Sequence, residues 1–415
     1  MSLRHLIEQE IREFGPIPFS RYMELCLYHP ELGYYSRHAE QFGKAGDFYT
    51  SSDVHAVFGR LLARQFEEIW RVLGSPERIE ILELGPGRGL FAQDVLDWSQ
   101  KKFPDFFHSL RYSLAESSTA LRSRLEATLS KHFGSGKASL APLSTTSSVR
   151  GNGILESGAI LGDRLGKGTT SVVPKGTLLE RASAPAVRLE PVIIFANEFF
   201  DALPVEVLSR KGTLRIAVEK GGFIETWAPP KSEELDFLDR YSVHPDERIE
   251  VPLIAQQSMA QIASATERGI LIAIDYGYSR QEQLAGRHRG TLTAFRQHSV
   301  SANPYEAPGE QDITAHVNFT ALAAAAEQNG MHVHPLLTQS QFLMGIGEAN
   351  QFTDAFEECR LPQERAKVAL QLKHLVTPAG MGENFHVLLA AKGVEEEKIS
   401  GLSGLSFATN RREGA

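Results

Sequence analysis

The sequence predicts a doubly wound α/β fold on a mostly parallel sheet, and three observations carry that prediction. Apolar runs at 79–84, 192–196 and 270–274 are nearly continuous, without sustained two-residue alternation, as strands buried on both faces require. Helical patterns such as "LFAQDVLDWSQKKF" and "LIAQQSMAQIASATE" stand between those runs. Strand and helix signals therefore alternate, which is the pattern of a sheet covered by helices on both sides.

Each part of the chain has its own reading. The opening "MSLRHLIEQEIREFG" places Leu3, Leu6, Ile7, Ile11 and Phe14 at helical spacing among charges, an amphipathic helix unlike a signal peptide. Residues 1–74 are expected to form a helical N-terminal cap region, and 75–394 the main domain. The run at 79–84 is the first strand, and "LRYSLAE" at 110–116 is a weaker strand candidate. The stretch 134–190 is rich in Gly, Ser and Thr without a sustained period, so it reads as one strand plus a long flexible insertion. Residues 205–230, "VEVLSRKGTLRIAVEKGGFIETWAP", alternate and carry two Gly turns, which predicts an antiparallel β excursion. The tail at 395–415 reads as disordered.

Composition narrows the function. With 42% apolar and 23% charged residues the chain is ordinary globular material. A formal net charge of −8 argues against nucleic-acid or anionic-membrane binding, which needs clustered Lys and Arg. The two cysteines, Cys26 and Cys359, supply neither a disulfide framework nor a Cys-based zinc site, so a reducing compartment is expected. No run of about 18 apolar residues occurs, so no membrane insertion is expected. The expectation is a cytoplasmic protein. The 14 histidines form no ligand-spaced pair with a carboxylate partner, so no metal is expected, and "HVH" at 332–334 lies on a strand-like stretch.

The turn after the first strand reads Glu83-Leu-Gly85-Pro-Gly87-Arg-Gly89. A phosphate-binding P-loop needs Gly-Lys-Ser/Thr, but Gly89 is followed by Leu90, and no lysine comes until Lys101. A dinucleotide loop needs a small residue three places after its second glycine, where Leu90 stands, so a nicotinamide oxidoreductase is disfavoured. The arrangement acidic-x-Gly-x-Gly-x-Gly instead resembles the S-adenosylmethionine (SAM) loop of class I, Rossmann-like methyltransferases. SAM carries no phosphate, so the loop needs only bare backbone beside the methionyl and ribose portions, which glycine allows. Glu116, ending the second strand candidate, is then placed to accept hydrogen bonds from the ribose hydroxyls. A second constellation, "FANEFFDALPVE" at 195–206, leaves the carboxyl edge of the fourth strand, where ligands of such sheets sit. Asn197, Glu198 and Asp201 would face the transferred methyl, Asn197 from the cofactor side. The competing reading is helix capping by Asn197 or Asp201.

Beyond this loop, the chain resembles the MidA-type family of mitochondrial complex I assembly factor methyltransferases and their bacterial relatives. The blocks that carry the resemblance are "GPIPFSRYMELCLYHPELGYYS", "GDFYTSSDVHAVFGRLLARQFEEIW", "LELGPGRG", "ANEFFDALPVEVL", "LIAIDYGY", "GTLTAFRQH" and "GEQDITAHVNFTAL". They cover most of the chain outside 134–190 and the tail. The resemblance implies a protein arginine methyltransferase using SAM, whose mitochondrial members act on a core subunit of respiratory complex I. It puts the cofactor loop on Gly85, Gly87 and Gly89, with Glu83 before it, and the ribose acid on Glu116. It puts an N-terminal motif that closes over the cofactor on residues 46–51, including Tyr49 and Thr50.

For a guanidinium acceptor, carboxylates can pin the positive charge away from the attacking nitrogen, which makes Glu198, Asp201 and Asp312 the candidate catalytic groups. His316 is a candidate proton acceptor, because imidazole titrates near neutral pH, and the alternative is a structural hydrogen bond. Asp275 and Tyr276 are expected to shape the pocket. Two departures from the family pattern stand out. The Ser/Gly-rich stretch replaces a short segment bearing Trp or His before the fourth strand, which leaves the adenine side unassigned. Asn318 stands where Asp is common. The alternative function is a SAM-binding assembly chaperone without turnover.

Overall fold

The structure, a computed structural model, describes residues 2–36, 56–141, 190–243, 248–288, 290–296, 299–301 and 303–409. Its frame is a central sheet of strands β1 (Ile79–Leu84), β2 (Leu110–Ala115), β3 (Ala138–Leu140), β4 (Val192–Asn197), β5 (Gly269–Tyr278), β6 (His332–Val333) and β7 (Phe385–Lys392). The spatial order is β6-β7-β5-β4-β1-β2-β3. Strands β1 to β5 run parallel where they pair, and β7 is antiparallel to both β5 and β6. The chain winds outward from β1 to β3 and resumes at β4 on the other side of β1. Strand order therefore reverses between β1 and β4, the place where open α/β sheets bind ligands.

The continuous apolar runs have a simple physical origin. In β4, Ile193 and Phe195 enter one core while Val192, Ile194 and Ala196 enter the opposite one. In β5, Ile270, Ile272 and Ile274 face the first core, and Leu271 and Ala273 the second. The first face is covered by the helices Ala56–Val72, Leu90–Lys102 and Gln339–Glu348, and the second by Leu253–Ala265 and Phe319–Gln328. Each large side chain buried this way contributes about 1.5–3 kcal/mol, so apolar residues are needed at every strand position. Phe91 stacks on Phe195 at 4.4 Å and Phe66 meets it edge-on at 5.6 Å, which ties two of these helices to β4.

The predicted β excursion is present as an antiparallel sheet that includes Glu206–Ser209, Gly212–Glu219 and Gly222–Ala228. Lys220 and Gly221 at its hairpin both have positive φ, as a tight two-residue turn requires. The N-terminal helices Leu3–Phe14 and Phe19–Tyr28 pack on this sheet, burying Leu3, Ile7, Ile11, Phe19 and Tyr22 against Val205, Val207, Leu214 and Ile216. Phe14, read as part of the apolar stripe, is 80% exposed at the helix end.

Two expectations are corrected. The helix Ala56–Val72, placed in the cap region, belongs to the main domain, because Phe58, Leu61, Leu62 and Phe66 are buried in the central core. The tail is not disordered over 395–409: helices Glu396–Ser400 and Ser406–Thr409 flank a 3-10 turn, and Ile399, Leu402 and Leu405 are buried in that same core. Strand β7 was not foreseen at all. The predicted insertion at 134–190 begins with β3, and its residues 142–189 lie outside the described residues.

Candidate functional site

The glycine turn leaves β1 at the switch point and enters the helix Leu90–Lys102. Gly85, Gly87 and Gly89 all take positive φ, at 66°, 54° and 79°. Their reasons differ. A Cβ on Gly89 would strike Leu125 Cδ2 at 2.7 Å, so packing of the helix Thr119–Thr128 favours glycine there. Among the described residues, a Cβ on Gly87 would meet nothing within 4 Å, so they leave this glycine an open face at the carboxyl end of the sheet. Gly85 donates its N–H to the Ala115 carbonyl at 3.1 Å, which fastens the turn to the end of β2.

Glu116 lies across from that opening. Its Oε1 accepts the Ser118 N–H at 2.8 Å, and burial pushes its carboxyl up to about 7 against the pull of the Ser118, Ser117 and Gly87 N–H groups. Glu83 sits deeper, its Oε2 accepting from the Tyr112 hydroxyl at 2.9 Å. Burial raises Glu83 to about 8, so its carboxyl is held by Tyr112 beneath the loop and is largely protonated at neutral pH. Ser118 caps the following helix and donates its hydroxyl to the Tyr35 carbonyl at 2.7 Å, which docks the N-terminal segment against this corner. Tyr49 and Thr50, with the rest of 46–51, lie outside the described residues.

The second half of the site follows β4. Asn197 donates Nδ2 to Glu198 Oε1 at 3.1 Å, while its own Oδ1 is buried with no hydrogen bond from the described residues. Glu198 has φ of +50°, a left-handed conformation that is uncommon for a glutamate. Asp201 is buried, and its carboxyl rises to about 7 because burial disfavours the charged form. Its carbonyl accepts from the Ala315 N–H at 3.0 Å, bringing the strand that begins at Asp312 alongside. Asp312 is buried and accepts from the Tyr35 hydroxyl at 2.8 Å. Tyr28, 5.4 Å from Tyr35 between ring centroids, donates to the Ala202 carbonyl at 2.8 Å. Tyr28 and Tyr35 both feel the charges of Asp201 and Asp312, which puts the two carboxylates around one tyrosine pair. The result is an acidic, aromatic corner next to the glycine turn.

His316 does not fit its expected role. Its Nδ1 lies 3.2 Å from His288 Nδ1, and burial together with His288 and His386 pushes it down to about 4. An imidazole that titrates so low is neutral and weakly basic at pH 7, contrary to the reading from its ordinary value. Asn318 is explained by its fold position. Its Oδ1 caps the helix Phe319–Gln328 at the Ala321 N–H (3.0 Å), and its Nδ2 donates to the Tyr241 carbonyl at 2.9 Å, a donation that Asp cannot make. Tyr28 and Tyr35 were missed as site residues; the only signal was the aromatic cluster in "CLYHPELGYYS". Among the described residues, no group of three or more His, Cys, Asp or Glu could hold a metal ion.

The open face at Gly87, the carboxyl of Glu116 and the unsatisfied Asn197 Oδ1 fit a ligand with hydroxyl and ammonium donors and no phosphate. Comparison with known proteins agrees. Residues 61–337 match the model of a family described as "putative S-adenosyl-L-methionine-dependent methyltransferase". A Drosophila melanogaster relative, named protein arginine methyltransferase NDUFAF7 homolog, mitochondrial, is 28% identical, with 95% of this chain and 85% of the relative covered. The Homo sapiens protein arginine methyltransferase NDUFAF7, mitochondrial, is 27% identical over 92% of this chain and 82% of its own. A crystal structure of a Burkholderia thailandensis protein bound to S-adenosyl-homocysteine shares the fold, with TM-score 0.76, 24% identity and coverage of 98% and 95%. The cytoplasmic expectation is overturned by these relatives, which are named as mitochondrial proteins.

Proposed function

Since the chain belongs to this S-adenosyl-L-methionine-dependent methyltransferase family, we propose that it methylates the guanidinium of an arginine in a protein substrate, with a respiratory complex I subunit as that substrate. The observation that carries the acceptor is the acidic corner, where buried Asp201 and Asp312 share a tyrosine pair and Glu198 stands beside the cofactor crevice. The names of the relatives support arginine, and the resemblance to complex I assembly factors supports the subunit.

Bound SAM supplies a methyl group already activated on a sulfonium. What remains for the chain is positioning, which can lower a barrier by about 7–11 kcal/mol in favourable cases. Gly87 and Glu116 would hold the cofactor's methionyl and ribose portions, and Asn197 Oδ1 would accept a donor from it. Glu198 and Asp201 grip the guanidinium by charge-assisted hydrogen bonds, and the faces of Tyr28 and Tyr35 line its path. A guanidinium entering this corner brings a cation to its carboxyls and draws them into the ionised form. After transfer, Asp201 takes the proton from the methylated nitrogen. Before the guanidinium binds, burial holds its carboxyl at about 7, above the about 4 of His316, which makes Asp201 the stronger base of the two.

Incubation of the purified protein with isotope-labelled SAM and host lysate tests this, with fragmentation of each labelled protein by mass spectrometry. Methylarginine is the expected product. Methyl on another residue type overturns the arginine acceptor, and saturable SAM binding with no labelled product favours an assembly chaperone without turnover.

A further inference from the structure

The turn that carries Glu198 and Asp201 is wrapped around one carboxylate oxygen. Asp275 Oδ2, at the carboxyl end of β5, accepts three consecutive N–H groups: Phe199 at 3.1 Å, Phe200 at 2.9 Å and Asp201 at 3.3 Å. Its Oδ1 accepts the Tyr276 N–H at 2.9 Å, so both oxygens are engaged. Asp275 is 1% exposed, and the Glu198 N–H donates to the neighbouring Ile274 carbonyl at 2.9 Å. Successive N–H groups that converge on one point form a cradle for an anion. Here the acceptor is a side-chain oxygen of the adjacent strand.

This arrangement accounts for the left-handed Glu198. A glutamate at φ of +50° is strained, and it persists only where the surroundings over-determine it. The chain is clamped on both sides of that residue, by Ile274 before and by Asp275 after. The clamp sets where Glu198 and Asp201 leave the backbone.

We infer that Asp275 is the positioning residue of the acceptor site, fixing the direction of the Glu198 and Asp201 carboxylates by holding the three peptide N–H groups between them. The inference rests on the reading of those two carboxylates as the guanidinium grip. Asparagine cannot replace Asp275 here. With its amide oxygen in the cradle, its NH₂ confronts the Tyr276 N–H; with its NH₂ in the cradle, three donors lose their acceptor.

The test uses Asp275→Asn in the full-length protein, with hydrogen exchange, SAM affinity and single-turnover methyl transfer measured in parallel. Amides 199–201 are expected to exchange at least tenfold faster than in the wild type, while SAM affinity stays within about threefold. Methyl transfer at saturating SAM should fall at least tenfold. The double variant Asp201→Asn/Asp275→Asn should be no more than about threefold slower than Asp201→Asn alone, because both act on one grip. A merely structural residue would slow the Asp201→Asn background by its full single effect. Unchanged exchange at 199–201, or full multiplication of the two rate losses, overturns the inference. So does loss of SAM binding in both Asp275→Asn and Asp275→Ser, which would make Asp275 a support of the sheet. If wild-type protein methylates no acceptor, the functional reading fails by itself, and the exchange measurement still decides whether Asp275 holds the turn.

Discussion

Replacing Asp201 by asparagine should make the protein more stable and less active, and the two effects should have different pH dependences. Asp201 is 7% exposed, and burial lifts its carboxyl from 3.8 to about 7 in the folded protein. Its folded value lies above its unfolded one, so the stability that its neutral form confers is fully present below pH 3.8 and is lost as pH rises through about 7. Above that, the folded protein carries a buried carboxylate at a cost on the order of 2–4 kcal/mol, from about three pKa units at 1.36 kcal/mol each, reduced by sharing with Asp275. Asparagine keeps the shape and an acceptor oxygen without the charge. Urea unfolding without SAM should therefore show Asp201→Asn more stable than wild type by roughly 2 kcal/mol or more at pH 8, and nearly equal at pH 4. Single-turnover transfer at saturating SAM should fall by ~10²-fold, about 2.7 kcal/mol in the transition state. A variant that is less stable than wild type at pH 8, or that transfers methyl at the wild-type rate, would refute the reasoning. Helix capping predicts that second outcome, because Asn caps about as well as Asp.

Glu198→Gln should also lose roughly 10²-fold, and the Glu198→Gln/Asp201→Asn pair less than the product, since both hold one group. Gly87→Ala puts a methyl into the open face of the loop, so calorimetry should show SAM affinity reduced by about tenfold, ~1.4 kcal/mol, in a folded protein. Wild-type methyl transfer should rise with pH through about 7 as Asp201 ionises, and show no step near 6.5 from His316, whose imidazole titrates at about 4. Leu405→Ala should destabilise the protein by about 2–4 kcal/mol in urea unfolding, as expected for a buried leucine and not for a residue in a disordered tail.

The central strands were legible because both faces of the sheet are buried, so β4 and most of β5 are apolar and β1 is interrupted only by Glu80 and Glu83. The glycine loop was legible because its turn and its ligand both need bare backbone within seven consecutive residues. Strand β7 carries the same signature, Val387 to Ala391 being buried throughout, while the charged run "VEEEK" after it makes the chain end from 395 read as solvated. Within that end, Ile399, Leu402 and Leu405 recur every three residues, a spacing too short-lived to stand out. Two features had no local signal. The bonds from residues 199–201 to Asp275 span 74–76 positions, and the depression of His316 depends on histidines 28 and 70 residues away.

Tyr35 links both halves of the site, its carbonyl bonded to Ser118 and its hydroxyl to Asp312, contacts that span 83 and 277 residues. Such distant closures come late in folding, because the loop entropy must be met before the contact rewards it. During synthesis the glycine turn and Glu116 leave the ribosome about two hundred residues ahead of Asp312. Tyr35 can therefore join the glycine-turn side to the corner proposed for the acceptor only once the second half of the polypeptide has arrived to supply Asp312.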